Sequence, residues 1–396
     1  MTGPLEGIRI IELGQMIAVP AATQLLASYG AEIIKIENTG TGDELRFYSS
    51  NKGGISAMFA HANAGKRSIA LDLKEEAGKK ILWQLLETSD ALIEGFRPGV
   101  LAKLGFGFDV VSSKCPSLVY CSSTGFGPTG PYRDLPVYDP LIQALSGWAG
   151  AQQVGDDPTL VRGFVADKVA ATGNAQAVTA ALVKSSRTGE GSHIQLGMLE
   201  SNIAFNWTDV MMHCCLLDDD ATHQSNILSS YRLFRAKDGW VSLAVSTDKQ
   251  AKNFCEALDR QDVIDSGRFA TAAQRGADIA GWFNTLQESI ENSLLADLLD
   301  LLIKADVPVA PVLSPADVAS NPQVAAAGFL EEKVHPLAGK IRGPRSAASS
   351  FGDQLTLCPA PSHGQDGRQL LDEMAYSPGE IDELAEKGIV LLRSPS

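Results

Sequence analysis

Residues 7–37 read GIRIIELGQMIAVPAATQLLASYGAEIIKIE. Two short and mostly apolar runs, at 7–13 and 31–37, are typical of strands that are buried on both faces of a sheet. Residues 20–30 between them predict a helix that ends at Gly30, because glycine readily takes the left-handed conformation found at helix ends. A strand, a helix and a second strand in succession predict two parallel neighbours in one sheet.

The same alternation continues through the first third of the chain. Strands are predicted at 68–74, 90–96 and 117–127, and helices at 75–89 and 97–105, with Pro98 in the first turn of the second helix. The last of these strands runs into a glycine-rich loop. This rhythm indicates an α/β fold with a largely parallel, doubly wound sheet.

The remainder of the chain indicates a second, smaller domain. Helices are predicted at 166–186 and within 193–215, and the turn Lys237-Asp238-Gly239 between apolar runs predicts a hairpin over 231–246. A strand at 307–314 and a closing helix at 378–388 follow. We divide the chain into a large α/β domain (1–215), a linker (216–226), a small α+β domain (227–310), a second linker (311–340) and a C-terminal segment (341–396).

Composition excludes several classes of protein. The 396 residues are 44% hydrophobic and 20% charged, so the chain can bury a large core, and its net charge of −14 argues against nonspecific binding to nucleic acid or anionic membrane. The sequence has no CxxC pair and no HExxH motif, and we therefore expect reduced cysteines and no metal site. The lack of a signal-peptide pattern and of a run of 18 apolar residues predicts a cytoplasmic protein.

Asp167 is the first candidate for catalysis, since it stands at the start of the predicted helix 166–186. A helix N-terminus presents unpaired N–H groups and the positive end of the helix dipole, which together favour an ionised carboxylate. Such a carboxylate can attack an activated acyl group. Aspartate is also a preferred N-cap residue, and from position alone this structural role is the commoner one.

Two basic segments are candidates for binding phosphate. LDLK (71–74) and GFRPG (95–99) each place a basic residue where a predicted strand gives way to a helix, which is where ligands gather in open α/β sheets. For any single one of these residues, a solvated charge at an element boundary is the commoner explanation. No P-loop and no GxGxxG after the first strand accompany them, so nucleotide-binding fingerprints are missing.

Several segments taken together resemble the family III CoA-transferases, the formyl-CoA transferase and CaiB/BaiF group. They occur in order as GAEIIKIE with TGDELR, NAGKRSIALDLK, IEGFRPGVLAKLGF, SSTGFGPTGPY, VYDPLIQALSG, the Asp167 helix and RTGEGSHIQLGMLES. The resemblance implies a Rossmann-like large domain, a smaller α+β domain, a C-terminal segment that returns to the large domain, and a homodimer of interlocked rings. It identifies Asp167 with the nucleophilic aspartate of the family.

The resemblance also implies where coenzyme A binds, as a substrate and without any permanently bound cofactor. By position, the family's CoA contacts fall on Ile17, Ala18, Asn38, Leu71, Asp72, Leu73, Lys74, Gly95, Phe96, Arg97, Lys103, Pro136, Val137, Tyr138 and Asp139. Two departures stand out. Asn38 occupies a position where a family member has an arginine, and Ile17 replaces a glutamine that lies near the acyl group in formyl-CoA transferase, which disfavours formyl-CoA and oxalate as substrates.

The implied mechanism passes through an aspartyl-acyl anhydride and an aspartyl-CoA thioester on Asp167, with an acyl-CoA donor and a carboxylic acid acceptor as partners. Arg46 or Arg162 could bind a second carboxylate of such an acid. Two other functions stay open. The same fold hosts α-methylacyl-CoA racemases, but Tyr138 here replaces the histidine base of those enzymes, and a phenol with a pKa of about 10 is a poor base at neutral pH. A non-catalytic CoA-binding protein is the second alternative.

Overall fold

The computed structural model of the chain contains two compact units, and it describes residues 3–153, 156–222, 227–351 and 355–392. The larger unit comprises Met1–Met211 and Gly328–Ser396, and the smaller unit comprises Met212–Ala327. Residues 223–226 of the predicted first linker, and parts of the predicted C-terminal segment (352–354 and 393–396), lie outside the described residues. Among the described helices, none has the length and apolar character needed to cross a bilayer.

The elements of the larger unit appear first along the chain and again at its end. Its strands are β1 (Arg9–Leu13), β2 (Glu32–Glu37), β3 (Asn51–Lys52), β4 (Ile55–Ser56), β5 (Lys66–Leu71), β6 (Ala91–Glu94), β7 (Val119–Thr124) and β8 (Ser192–Gly197), then β12 (Leu330–His335), β13 (Gly339–Pro344) and β14 (Val390–Leu391). Its helices are α1 (Ala18–Ser28), α2 (Ala57–Ala62), α3 (Glu76–Glu87), α4 (Val100–Lys103), α5 (Phe108–Lys114), α6 (Asp139–Leu145), α7 (Trp148–Ala151), α8 (Val165–Thr188) and α9 (Met198–Asn206), then α16 (Gly367–Glu373) and α17 (Pro378–Glu386).

The central sheet of the larger unit has the strand order β14–β5–β2–β1–β6–β7–β8. Neighbouring strands from β5 to β8 pair in parallel, and only β14 pairs antiparallel, against β5. The predicted unit at 7–37 is confirmed as β1, α1 and β2, with Ile10 opposite Ile33. The predicted parallel, doubly wound α/β sheet is therefore confirmed.

Both faces of this sheet are covered by helices. Successive residues of a strand point to opposite faces, so each strand contributes to both layers of the core. On one face, Ile10 and Ile33 pack with Leu26 of α1 and Val178 of α8. On the other face, residues such as Ile11 and Ile34 pack with α3, α16 and α17 in a second core cluster. Strands buried on both sides need apolar residues at consecutive positions, which explains the near-continuous apolar runs of the sequence.

Local details of the helices differ from prediction at two places. The helix α1 ends at Ser28, two residues before Gly30, whose φ of +99° turns the chain toward β2. The helix predicted from 97 begins only at Val100, so Pro98 precedes it and does not lie in its first turn. Gly99 adopts a φ of +82°, which is incompatible with a right-handed helix.

Several short elements of the larger unit were not predicted, among them α2, α5 and a hairpin. The helices α2 and α5 are short, and their composition gave no clear periodic signal. The antiparallel hairpin of β12 and β13 covers residues 330–344, which include part of the segment interpreted as the second linker. Its strands alternate polar and apolar side chains weakly, so the pattern was not separable from a loop.

The smaller unit combines an antiparallel sheet with helices. Its strands are β9 (Leu233–Arg235), β10 (Trp240–Leu243) and β11 (Val309–Pro311), in the order β11–β10–β9, and its helices are α10 (Asp248–Ala257), α11 (Gln261–Ser266), α12 (Ala272–Ala277), α13 (Ile279–Ile290), α14 (Leu295–Lys304) and α15 (Pro322–Ala326). The hairpin predicted around Asp238-Gly239 is confirmed, since β9 and β10 pair antiparallel and Ala236 N–H donates to the Gly239 carbonyl over 2.9 Å.

Candidate active site

Asp167 lies in the first turn of α8, the longest helix of the larger unit among the described residues. The helix begins at Val165, and its N-cap residue is Phe164, which offers no side-chain capping bond. Asp167 is therefore the third helical residue. Its interpretation as a helix N-cap is wrong, and its position in the first turn agrees with the prediction of an acidic group beside the helix N-terminus.

The backbone N–H of Asp167 is bound by a second carboxylate. It donates to Asp139 Oδ2 over 3.0 Å, so a side chain from α6 satisfies a donor that the helix itself leaves unpaired. Asp139 is the first residue of α6 and is 4% exposed, whereas its neighbour Tyr138 is 69% exposed. Two residues of the predicted VYDPL contact thus differ in role: Asp139 lies against the start of α8, and Tyr138 faces outward.

The electrostatics of Asp167 differ from the prediction of a fully ionised group. Burial, with a further contribution from the negative charge of Asp139, raises the pKa of Asp167 to about 7. The helix dipole favours the ionised form by only about 0.3–1 kcal/mol at a typical site, and the loss of solvation outweighs it. A carboxyl group whose pKa lies near neutrality can gain and lose a proton readily under physiological conditions.

Helix α8 is held against its neighbours by buried amides. Asn202 of α9 donates to the carbonyl of Ala166 over 3.0 Å, and Asn174, further along α8, donates from Nδ2 to Ser123 Oγ on β7 over 2.7 Å. Both asparagines are fully buried. The first bond holds the turn that carries Asp167 against α9, and the second holds the body of the helix against the sheet.

Three of the predicted contact residues lie beside this turn. Ile17 belongs to a buried cluster that Phe164, the N-cap of α8, contacts. Ala18 and Val137 pack against another cluster that contains Ala166. The structure therefore brings the start of α1, the segment before α6 and the first turn of α8 together around Asp167, although they are far apart in sequence.

Most of the remaining predicted CoA contacts lie in the segments directly after β5 and β6. In the 71–74 segment, Leu71 is buried and Leu73 packs on the core, while the Asp72 carboxylate accepts from Lys74 N–H over 2.9 Å. After β6, Gly95 is exposed and Phe96 packs on the same core, with its N–H donating to Glu94. The side chains left in solvent include those of Lys74, Arg97 and Lys103, and the exposed Pro136 lies in the loop before α6.

The exposed basic residues come from two regions of one sheet edge. Strands β5 and β6 are separated by β2 and β1, so three strand spacings of about 4.8 Å put their carboxyl ends about 14 Å apart. Lys74 extends from the first end, and Arg97 from the second. This spread suits an extended ligand with several phosphate groups better than a single small anion.

Asn38 binds its own turn. Its Oδ1 accepts from the N–H groups of Gly40 and Thr41 at 2.9 and 3.0 Å, and its Nδ2 donates to the Gly42 carbonyl over 3.1 Å. Both ends of the amide therefore close the 38–42 turn. The structure gives Asn38 a structural role that an arginine at this position would not share.

Arg46, an expected partner for a second carboxylate, is buried and paired internally. Its guanidinium donates to Glu37 over 2.6 and 2.9 Å and lies 3.7 Å from the ring centroid of Phe59. Although burial opposes its charge, Arg46 and its neighbours lower the pKa of Glu37 to about 2. Arg46 also donates to the Pro361 carbonyl and is 4% exposed, so the structure favours its interpretation as an ion-pair partner over a contact with substrate. Arg162, the other residue of that expectation, is exposed.

Beneath the 14–17 loop lies a buried ionic cluster that sequence reasoning missed. The ammonium of Lys35 contacts Glu12 Oε1 at 2.6 Å, Asp43 Oδ2 at 2.9 Å and the Gly14 carbonyl at 2.8 Å. Asp43 Oδ1 also accepts from Met16 N–H over 3.0 Å. Met16 has a φ of +63°, a region that costs a non-glycine residue energy and persists only when its surroundings enforce it. The cluster thus sets the path of the loop into α1.

A second buried lysine completes this cluster. Lys66 contacts Glu12 Oε2 at 2.7 Å, the Pro20 carbonyl at 2.8 Å and Asn63 Oδ1 at 2.9 Å. Burial lowers the pKa of Lys66 to about 8, although Glu12 favours its charged form. The only sequence signal for the cluster was a charged residue inside an otherwise apolar strand, at Glu12 and again at Lys35. Within the described residues, no group of three or more His, Cys, Asp or Glu is arranged to hold a metal ion.

Comparisons with known proteins agree on one family. The sequence matches the family described as CoA-transferase family III over residues 5–367. It is 31% identical over 379 residues to the acetyl-CoA:oxalate CoA-transferase of Acetobacter aceti, covering 94% of this chain and 96% of that protein. It is also 31% identical over 398 residues to the succinyl-CoA:glutarate CoA-transferase of Homo sapiens, covering 98% and 90% of the two chains.

A solved structure supports the same grouping. A CAIB/BAIF family protein from Brucella suis matches with a TM-score of 0.83 and 29% sequence identity, covering 94% of this chain and 100% of that chain. The resemblance derived from the ordered motifs is confirmed by both kinds of match. The chain is an enzyme that belongs to CoA-transferase family III.

Proposed function

We propose that the chain moves coenzyme A between two carboxylic acids through covalent intermediates on Asp167. The Asp167 carboxylate attacks the thioester carbonyl of the donor, the C–S bond breaks, and a mixed anhydride and CoA thiolate result. The thiolate then attacks the aspartyl carbonyl, which releases the donor acid and leaves an aspartyl-CoA thioester. The acceptor carboxylate and the thiolate repeat these two steps in reverse order, and Asp167 is regenerated as a carboxylate.

The observation that carries this proposal is the placement of the Asp167 carboxyl group. It stands on the first turn of α8, is partly buried, and has the buried Asp139 as its neighbour, with a pKa of about 7. A more basic carboxylate is a better nucleophile, and roughly half of the groups are ionised at neutral pH. We also propose that backbone N–H groups stabilise the oxyanion of each step. Those of Val165 and Asp167 already donate to Gly163 and Asp139, so the donors would be other groups.

Substitution of Asp167 tests the proposal. Asp167→Ala and Asp167→Asn should abolish CoA transfer from succinyl-CoA, because neither side chain can form the anhydride. Hydroxylamine added with the donor should label Asp167 in the wild type, and a peptide map by mass spectrometry would locate the label. Asp297→Asn is a matched control, since Asp297 is also the third residue of its helix, α14, and is exposed. Undiminished turnover in both Asp167 variants would refute the proposal.

We further propose that Lys74, Arg97 and Lys103 bind the phosphates of CoA, while Ile17, Ala18 and Val137 border the acyl end. Their support is the exposure of the three cations and the packing of the apolar residues beside the Asp167 turn. Arg97→Ala should raise KM for the acyl-CoA about tenfold with little change in kcat, because a charged hydrogen bond is worth about 1.5–3 kcal/mol. Arg187→Ala, at the far end of α8, should leave KM unchanged.

The acids are proposed to be small dicarboxylates or hydroxy acids. The relatives compared above are named for oxalate, succinyl-CoA and glutarate, and a dicarboxylate is common to them. A panel of acceptors incubated with succinyl-CoA or acetyl-CoA, followed by mass spectrometry of the CoA products, would identify the pair. Oxalate belongs in this panel, because the isoleucine at position 17 predicts that it is a poor acceptor.

The same panel separates transfer from racemisation. With a donor deuterated at its α-carbon, we expect the label to stay in the acid while CoA moves to the acceptor. Loss of deuterium to solvent without CoA exchange would instead indicate proton removal at the α-carbon.

We also propose that the enzyme acts as a homodimer. Support comes from a groove of about 810 Å³ on the larger unit that is lined by α8, β8 and α9, with Phe205 61% exposed beside it. An apolar face of this kind is typical of a surface covered by another subunit. Light scattering coupled to size exclusion should give twice the 42.0 kDa chain mass, and a monomeric active enzyme would contradict the proposal.

A further inference from the structure

A buried amide links the candidate nucleophile to the loop that precedes it. Gln143 lies on α6, one helical turn after Asp139, and is 1% exposed. Its Nε2 lies 2.5 Å from Asp139 Oδ1, and the other oxygen of the same carboxylate accepts from Asp167 N–H. The amide, the Asp139 carboxylate and the backbone of Asp167 therefore form one continuous chain of hydrogen bonds.

The same amide also fixes the segment that leads into α8. Gln143 Nε2 lies 3.2 Å from the Val161 carbonyl and 3.1 Å from the Gly163 carbonyl, and Gln143 Oε1 accepts from Val161 N–H over 2.9 Å. Val165 N–H in turn donates to Gly163 over 2.8 Å. One side chain thus holds both the chain path into the helix and the carboxylate beneath its first turn.

We infer that Gln143 is a positioning residue for Asp167, which holds the Asp139 carboxylate in place as a charged neighbour of the nucleophile and fixes the 161–163 segment. The inference rests on the proposed function of Asp167. Under this inference, the negative charge of Asp139 sets the proton affinity of Asp167, and the neutral amide of Gln143 holds Asp139 in place. A neutral amide is suited to this role, because it binds an ionised carboxylate without cancelling its charge.

Other charged groups near the start of α8 set the background for this effect. Lys168 follows Asp167 on the same helix, and His61 on α2 is close enough that Lys168 helps to lower its pKa, after burial. Glu200 on α9 borders the same groove as Lys168. None of these groups touches Gln143 among the contacts of the described residues, so a change at position 143 acts on Asp167 chiefly through Asp139.

Two substitutions of similar shape should affect the pH profile differently. In Gln143→Met, the Asp139 carboxylate loses its donor and its fixed position beside Asp167, so its charge acts on Asp167 less directly and the acid limb of kcat/KM should move down by about one pH unit. In Gln143→Glu, the new carboxyl group is protonated because it faces Asp139 in a buried site; it still donates to Asp139, so the acid limb should stay near its wild-type position. Both variants should lose about tenfold or more in kcat, since the 161–163 segment loses hydrogen bonds.

A purely structural role would reduce activity in both variants and leave the acid limb in place in Gln143→Met, or move it the same way in both. Either result overturns the inference. If Gln143→Met does not fold, Gln143→Glu decides alone, because an acid limb that moves down although the donor to Asp139 is retained is then sufficient to reject it. Gln261→Met is the matched control, since Gln261 also bonds an aspartate four residues later, Asp265, but on an exposed helix of the smaller unit.

Parallel assays of Asp167→Asn separate the two proposals. Persistent turnover in that variant would reject the nucleophile itself, whatever the Gln143 variants do. Loss of turnover there, together with an unmoved acid limb in Gln143→Met, would reject only the positioning role.

Discussion

Asp167 and Asp139 place two carboxyl groups at the start of α8, and this pairing sets the electrostatics of the candidate site. Asp139 accepts the N–H of Asp167 and is itself bound by Gln143. Burial and the charge of Asp139 raise the pKa of Asp167 to about 7, well above the usual 3.8. The proposed nucleophile is therefore more basic than an exposed aspartate, at a cost in stability whenever it is ionised.

That cost gives a prediction for stability. The folded-state pKa of Asp167 is raised, so the folded chain binds more protons than the unfolded chain between about pH 4 and pH 7, and stability falls as the pH rises through this window. Asp167→Asn removes the ionisable group and should stabilise the protein at pH 8 by about 2–4 kcal/mol. The gain should shrink toward pH 5. Urea denaturation at both pH values measures it, and an equal change at both would contradict the origin in ionisation.

A second prediction concerns the negative charge of Asp139. In Asp139→Asn the nearby charge is lost while burial remains, so the pKa of Asp167 should fall but stay above 3.8. The acid limb of kcat/KM should accordingly move to lower pH. Steady-state kinetics from pH 5 to about pH 8 would record it. Asp297→Asn should leave the limb where it is, and an unmoved limb in Asp139→Asn would show that the two carboxyl groups are not coupled.

At the scale of elements, the candidate active site is assembled from the starts of three helices. The loop into α1, the loop into α6 and the first turn of α8 meet near the carboxyl ends of parallel strands, where ligands bind in open α/β sheets. Of these, the loop into α1 depends on the buried cluster of Lys35, Glu12 and Asp43. The loop is thus ordered by charges from the sheet beneath it.

Removing one member of this cluster should be costly. Lys35→Met leaves the buried carboxylates of Glu12 and Asp43 without their shared cation, and such losses typically cost about 3–5 kcal/mol. Lys79→Met provides the control, because Lys79 pairs with Glu76 at the surface of α3 and should cost about 0.5 kcal/mol or less. Chemical denaturation followed by circular dichroism would compare them. A loss below about 1 kcal/mol in Lys35→Met would show that the cluster relaxes or takes up protons.

At the scale of the whole molecule, each compact unit has its own interior. The core cluster of the smaller unit, with Phe234, Phe254, Trp282 and Leu302 at its centre, draws only on residues between 234 and 309. The larger unit closes its sheet with the C-terminal strand β14, which pairs with β5. The chain therefore leaves the larger unit at residue 211 and re-enters it at 328.

An independent core predicts independent folding of the smaller unit. Residues 212–327 expressed alone should be monomeric and should unfold in one cooperative transition, because a domain with its own hydrophobic core can fold by itself. Thermal melts by circular dichroism and dispersion of amide proton resonances would show this. Trp282→Ala, which empties the centre of the cluster, should abolish the transition. A non-cooperative melt of the unsubstituted fragment would indicate that the smaller unit needs the rest of the chain.

Much of the fold was readable from local patterns. The consecutive apolar residues at 7–13 and 31–37 predicted strands covered on both faces, and these runs form β1 and β2. The Asp238-Gly239 pair between two apolar runs predicted a tight turn, and β9 and β10 pair on either side of it. The Asp167 helix was predicted from the length of its uninterrupted helical segment at 166–186. By contrast, the hairpin at 330–344 and the helices α2 and α5 carry weak periodicity, and only their packing makes them regular.

The α/β architecture, the hairpin of the smaller unit and the place of Asp167 at the start of a helix could be predicted from the sequence, since each depends on neighbours along the chain. Packing alone shows that Asp139 binds the Asp167 N–H, that Gln143 bonds Asp139 and the 161–163 segment, that Lys35 bonds the loop into α1 and that Arg46 is buried against Glu37. Burial, charge coupling and hydrogen bonds between distant segments depend on how the elements pack. A local pattern records the preference of a backbone segment and carries no trace of the partner that folding brings to it.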